Sequence, residues 1–210
     1  MRVKLNKVGK RFNKEWILRN LSLDIPSQSS LSITGANGSG KSTLIKLISA
    51  YMEPTSGNIQ YFENKKTYPI ESIPQSIGLA APYVDLIEEF SLKEHVEFHF
   101  KFRSTPFSLD EIITRTNFQF SIDKKVQDFS SGMKQRLKLA LAIHAENKLL
   151  ILDEPTSNLD QEGIEWYRDQ ILQKIGTCTI IVASNQRHEY DFIPKTINLS
   201  NKHKMYIESI

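Results

Sequence analysis

This 210-residue chain contains one cysteine, Cys178. A single thiol excludes an internal disulfide framework and agrees with a reducing compartment. No run of ~18 apolar residues occurs, so no segment has the length to cross a bilayer as a helix. The first residues, MRVKLNK, lack the apolar core of a secretory signal. Charge of one sign is scarce. The net charge is +3, and no basic stripe interleaved with aromatics argues for a nucleic-acid partner. Repeats and low-complexity segments are missing. So is the zinc-protease order H-E-x-x-H. His95 and His99 lie four apart, but Glu97 stands in the wrong place between them, and the pair reads as packed or solvated. What remains is an ordinary globular composition, 40% hydrophobic and 24% charged. It is long enough for one substantial core and predicts one α/β domain over 1–210.

The most informative stretch is residues 35–43, GANGSGKST. It fits G-x-x-x-x-G-K-[ST], the loop that binds nucleotide phosphates. Phosphates are anionic and need several converging donors. Gly35, Gly38 and Gly40 let the backbone wrap closely and present its N–H groups, with Asn37 between them. Lys41 adds a point charge for the outer phosphates, and Ser42 offers a hydroxyl to Mg²⁺. The context agrees. Residues 29–34 alternate like a strand, and residues 43–50, from Thr43 onward, read as a helix whose N-terminus faces the phosphates.

Elsewhere the pattern is coarser. Residues 3–5 and 21–25 read as strands joined by a turn-rich link that holds Phe12 and Trp16. Either aromatic can pack, or one can offer a flat face to a purine ring. Residues 58–62 and 77–81 read as strands. From 82 to 143 strand signals vanish. Residues 90–102 and 108–118 have helical periodicity, the second opening on a capping box at Ser108. This predicts a mostly helical subdomain, 82–143, inserted into an α/β core formed by 1–81 and 144–210. Residues 129–136, FSSGMKQR, open a further helix that Ser130 can cap. Its N-terminus is either a plain cap or a second anion site. Residues 149–152, LLIL, form an apolar run ending in Asp153 and Glu154. At the edge of a parallel sheet beside a phosphate loop, Asp153 can hold Mg²⁺ through water and Glu154 can act as general base. Residues 177–183 read as another buried strand, with Cys178 a core residue, and 197–199 and 205–207 as short closing strands.

These four features together resemble the ATP-binding subunit of an ABC transporter. The resemblance covers essentially the whole chain. It rests on 35–43, on 129–136 as the family's signature motif, on 149–154, and on 157–160 (SNLD), the loop after the catalytic acid. It implies a phosphate-loop NTPase core with a mixed or parallel central sheet, an antiparallel N-terminal β portion and the helical insertion. It implies ATP and Mg²⁺ as cofactors, with Phe12 on the adenine and Gly35, Asn37, Gly38, Gly40, Lys41, Ser42 and Thr43 around the phosphates. Ser42 and Asp153 would hold the metal, and Glu154 would activate water. Ser130, Gly132 and Asp160 would meet the ATP of an opposite subunit in a head-to-tail dimer, a homodimer or a pair with a paralogue. The implied partner is an integral membrane permease, at the cytoplasmic face of the membrane, whose contact patch would include Tyr83, Leu86, Phe90 and the helix at 98–102.

Three departures qualify the match. Ser131 and Met133 replace two usual signature residues. Pro82 stands where the family places a Gln that touches Mg²⁺ and the attacking water, and Gln75 is too far upstream to replace it. Asn185 stands at the position of the switch His, with His188 three residues on. Asn185 still donates a hydrogen bond but cannot titrate. Loss of one electrostatic donor costs ~10²–10³ in rate. The sequence therefore predicts slow or partner-dependent hydrolysis. The alternative is an ATP-gated dimerisation or regulatory module with little turnover. A soluble repair or translation ATPase fits less well, since one compact cassette is present without long coiled insertions.

Overall fold

The computed structural model describes residues 1–118 and 122–199 and the backbone of 206–209. The strands form two sheets. The first is antiparallel and runs β2-β1-β4-β5, from β1 (Arg2–Phe12), β2 (Glu15–Ile25), β4 (Ser56–Glu63) and β5 (Lys66–Tyr68). The second has six strands in the order β10-β9-β3-β8-β7-β6, from β3 (Ser30–Thr34), β6 (Ile77–Ala80), β7 (Leu149–Asp153), β8 (Thr179–Ala183), β9 (Lys195–Asn198) and β10 (Tyr206–Ser209). All its pairings are parallel except β9 with β10. β3, β7 and β8 are buried at every position, which explains their near-continuous apolar or small-residue sequences. Parallel pairing sends the C-terminal ends of β3, β6, β7 and β8 to one edge, where ligands of such sheets bind.

The N-terminal hairpin is longer than its sequence pattern suggests. Phe12 and Trp16 are not in a loose link: Phe12 pairs with Glu15 and Arg11 with Trp16 across a two-residue turn. The alternation in β1 is broken by register shifts between Leu5 and Val8 and between Val8 and Lys10, with Lys7 at φ 50°. A bulge of this kind hides a strand from any period-2 reading. Also unforeseen are β5, the short helix α2 (Ile73–Ser76) and α6 (Gln161–Lys174). In α6 only Gly163, Tyr167 and Ile171 are buried, so its apolar stripe is too thin to announce a helix.

The remaining helices are α1 (Lys41–Ile48), α3 (Leu92–Phe102), α4 (Leu109–Thr116) and α5 (Ser131–His144). Ser91 and Ser108 each close a capping box, with Glu94 and Glu111. α3 and α4 pack on one side of α5 through Leu92, Val96, Ile112, Ile113, Leu137 and Leu141. The other side of α5 packs on the central sheet through Leu139, Ala142 and Ile143, against Leu150 and Leu152. α5 thus belongs to two cores and carries its N-terminus from one to the other.

His95, His99 and His144 are packing residues. His95 accepts a hydrogen bond from the Ile87 amide at 3.0 Å. Burial pushes His99 and His144 down to about 4, with Arg103 adding to the shift at His99 and Arg115 at His144. In an unfolded chain each would titrate near ~6.5. Their neutral forms therefore support the fold fully above pH ~6.5, and that support is lost as pH falls toward 4. The expected loss is on the order of 1–2 kcal/mol each at pH 5. Urea midpoints at pH 7.5 and pH 5 check this: the drop should shrink in His144→Leu, and an equal drop would refute it.

Candidate functional site

β3 delivers the chain to the phosphate loop at the ligand edge of the central sheet. Gly35, Gly38 and Gly40 have φ of 145°, 79° and 101°, a region closed to most side chains. Gly40 stands before α1 without any side-chain cap, so the first-turn amides of that helix stay open to an anion. Lys41 is buried and folds back under the loop, donating to the Gly35 carbonyl at 2.7 Å. A cavity of ≈ 370 Å³ is lined by Phe12, Ile17, Asn37, Gly38, Gly40, Lys41, Ser42, Thr43 and Glu154. The hairpin end of β1–β2 therefore reaches the mouth of the loop, and Phe12, 44% exposed, stands there as a flat apolar wall.

Asp153 ends β7 and is 1% exposed. Among the described residues neither of its carboxylate oxygens has a partner in good hydrogen-bond geometry. Burial raises its pKa and Glu154 adds to the rise, while Ser42, Lys41 and Lys46 oppose it. A buried carboxylate with so little hydrogen bonding is costly unless a cation meets it. Its neighbours supply hard oxygen donors, the chemistry Mg²⁺ prefers. Among the described residues no three His, Cys, Asp or Glu converge into a metal cage.

Glu154 has φ 48°, a left-handed conformation that is strained for a non-glycine residue. Its amide donates to the Ala183 carbonyl at 2.9 Å, which holds the residue at the cavity wall. From the end of β8, Asn185 donates to the Asn37 side-chain oxygen at 3.0 Å, tying that strand to the phosphate loop. His188 turns away and lies 2.9 Å from the Thr156 hydroxyl. Pro82 is exposed just past the ligand edge of β6, whereas Gln75 is exposed before that strand, at the opposite edge.

A second concavity of ≈ 270 Å³ is lined by Phe118, Ser130, Ser131, Gly132, Met133, Arg136, Asn158, Leu159 and Asp160. Ser130 caps α5, accepting from the Met133 amide at 3.2 Å. Asp160 caps α6, accepting from the Gly163 amide at 2.8 Å. The fold thus brings residues 130–133 and 158–160 together but shares no lining residue between this concavity and the first.

Residues 18–157 match the family model described as ABC transporter. The chain belongs to that family. It is 33% identical over 202 residues to the ABC transporter ATP-binding protein YcbN of Bacillus subtilis, covering 94% of this cassette and 66% of YcbN. Against YdbJ of the same organism the identity is 32%, and the cassette spans 63% of that protein. The lantibiotic transport ATP-binding protein SrtF of Streptococcus pyogenes is 32% identical, with 98% of the cassette and 90% of SrtF covered. The dimeric bacterial ABC transporter cassette MJ0796 superposes with a TM-score of 0.83 at 24% identity over 99% of the cassette and 98% of that chain. An ATP-binding subunit of an ABC transporter superposes with a TM-score of 0.86 at 20% identity, covering 100% and 90%. These two likenesses establish the ABC cassette fold, with its antiparallel β portion, mixed central sheet and helical insertion.

One residue of this cassette escaped the sequence reading. Glu189 is fully buried, and its side chain accepts from both the Thr156 amide, at 2.7 Å, and the Thr156 hydroxyl. The Tyr167 hydroxyl donates to the Glu189 carbonyl at 2.9 Å. The loop leaving Glu154 is therefore clamped to the segment after β8. A lone acid four residues past Asn185 carries no local signal of this.

Proposed function

We propose that this cassette binds MgATP and hydrolyses it to power transport through a separate membrane permease. The observation that carries this is one cavity that gathers the open phosphate loop, Lys41, Ser42 and Glu154, beside the buried carboxylate of Asp153. Phe12 would stack on the adenine. Ser42 and Asp153 would hold Mg²⁺, which neutralises charge on the outer phosphates. Lys41 leaves the Gly35 carbonyl for phosphate oxygens, and Glu154 takes a proton from water aligned behind the γ-phosphate. Asn185, already hydrogen-bonded to Asn37, is within the same region and would donate to the γ-phosphate. Phosphate release at saturating MgATP tests this reading, and a chain that binds no MgATP overturns it.

Ser130, Gly132 and Asp160 line a concavity of their own. In this reading they act across a head-to-tail dimer, where the N-terminus of α5 closes the phosphate site of the opposite subunit. ATP then stabilises the pair by mass action and hydrolysis releases it. The second reading, an ATP-gated clamp with little turnover, is favoured by Pro82 and Asn185. ATP binding with no phosphate release, in the presence of dimerisation, would decide for it.

Among the described residues no helix is long and apolar enough to cross a membrane; in this reading a permease holds the cassette at the cytoplasmic face. Tyr83 and Leu86 are half-buried and packed on the cores, which removes them from the exposed part of the contact patch. Phe90, Phe98 and Phe102 form an edge-to-face ladder with ring centres 5.5 and 5.2 Å apart. Phe98 is 40% and Phe102 70% exposed, too much apolar area to leave in water without a use. Phe98→Glu/Phe102→Glu should lose co-purification of the permease while keeping ATP binding. Equal recovery by both proteins would refute the assignment.

A further inference from the structure

β6 runs parallel to β7 with Ala80 opposite Leu152. The chain leaving β6 therefore emerges beside Asp153. It turns at once, the Val84 amide donating to the Ala81 carbonyl at 3.0 Å, and Tyr83 packs against the core that holds β3 and α1, near enough to Asp153 to feel its charge. The ring is held on two sides. Lys46, one helical turn beyond Ser42 on α1, places its ammonium 4.1 Å from the ring centre. The Tyr51 ring lies 5.9 Å away. The hydroxyl at the far end is buried and has no hydrogen-bond partner among the described residues. Leaving a buried hydroxyl unpaired costs ~1–3 kcal/mol. An unpaired buried hydroxyl near enough to Asp153 to feel its charge, with Ser42 one turn before Lys46 on α1, marks a place prepared for a polar guest.

We propose that Tyr83 makes the contact to the Mg²⁺–phosphate assembly that Pro82 cannot make, its hydroxyl hydrogen-bonding an oxygen of that assembly beside Asp153 and Ser42. Burial, and after it the nearby charges of Asp153 and Tyr51, raise the pKa of the phenol. The group therefore stays protonated at neutral pH and serves as a neutral donor and acceptor. Proline at 82 removes a side-chain ligand but also fixes the backbone entering the turn. The next residue then carries the polar atom on a rigid aromatic arm.

This inference rests on the MgATP reading above, and the test separates the two. Tyr83→Phe removes one oxygen and keeps the ring between Lys46 and Tyr51, so the fold is not at stake. Both forms are made in a Glu154→Gln background to suppress turnover. Binding of trinitrophenyl-ATP is measured with EDTA and then across a Mg²⁺ titration. The expected result is a Mg²⁺ midpoint raised about 10- to 150-fold in Tyr83→Phe, as the loss of one hydrogen bond to a charged group predicts, with metal-free affinity unchanged. Superimposable Mg²⁺ titrations would overturn the role of Tyr83 and leave the proposed function standing. A parent protein whose nucleotide binding ignores Mg²⁺ would overturn both. An equal loss with and without metal would show a packing role and also overturn it.

Discussion

Glu154→Gln should lower phosphate release by ~10²–10⁴ and leave ATP bound, because removal of a general base costs about that much. Gln has nearly the shape of Glu and keeps the amide that donates to the Ala183 carbonyl, so the loop should hold its strained geometry. The charge change works in favour of binding. Glu154 is one of the influences that raise the pKa of Asp153. Removing that negative charge makes Asp153 ionise more readily, which strengthens its hold on a cation. The two effects move in opposite directions, so a merely damaged site cannot imitate them. Single-turnover phosphate release and equilibrium MgATP binding on the same preparation check the pair. Unchanged turnover would remove Glu154 from the role of base.

Gly132→Ala should weaken ATP-driven dimerisation roughly 5- to 150-fold and leave ATP binding by the single chain intact. A Cβ added at Gly132 would stand 2.6 Å from the Asn158 carbonyl oxygen, closer than real contacts allow. Asn158 cannot easily retreat, since it already sits at φ 65°. The first turn of α5 and the loop at 158–160 must then separate, and the concavity they form changes shape. Overpacking of this kind costs ~1–3 kcal/mol, which is roughly 5- to 150-fold in an equilibrium. Ala is the better helix former, so a weaker helix cannot account for the loss. Sedimentation of Glu154→Gln with MgATP, with and without the second change, reads the dimer directly. A dimer of equal strength in both would refute a role for this face in closing the opposite subunit's site.

How much of this was visible in the chain depends on how local each cause is. The phosphate loop was, because its strand, three glycines, Lys41 and helix lie within about twenty consecutive residues and each follows from near-neighbour chemistry. β7 was, because a strand buried on both faces must be apolar throughout, and the acids that follow it can only lie at the sheet edge. The caps at Ser108 and Ser130 were, because a cap bonds to an amide three residues away. The remaining features depend on partners distant in sequence. β1 escaped because bulges set its register against two other strands, and α6 because only one face of its outer layer meets the core. Pairing across the hairpin brings Phe12 to the mouth of the cavity, although nothing in its neighbours says so. Glu189 matters only because folding sets it against Thr156, 33 residues away. Tyr83 acquires its place from the register of β6 on β7 and from Lys46 on a helix that begins at the phosphate loop. Local patterning determined the chemistry this cassette carries. The tertiary structure decided which distant side chains share its site, because burial and register are properties of packed elements and not of consecutive residues.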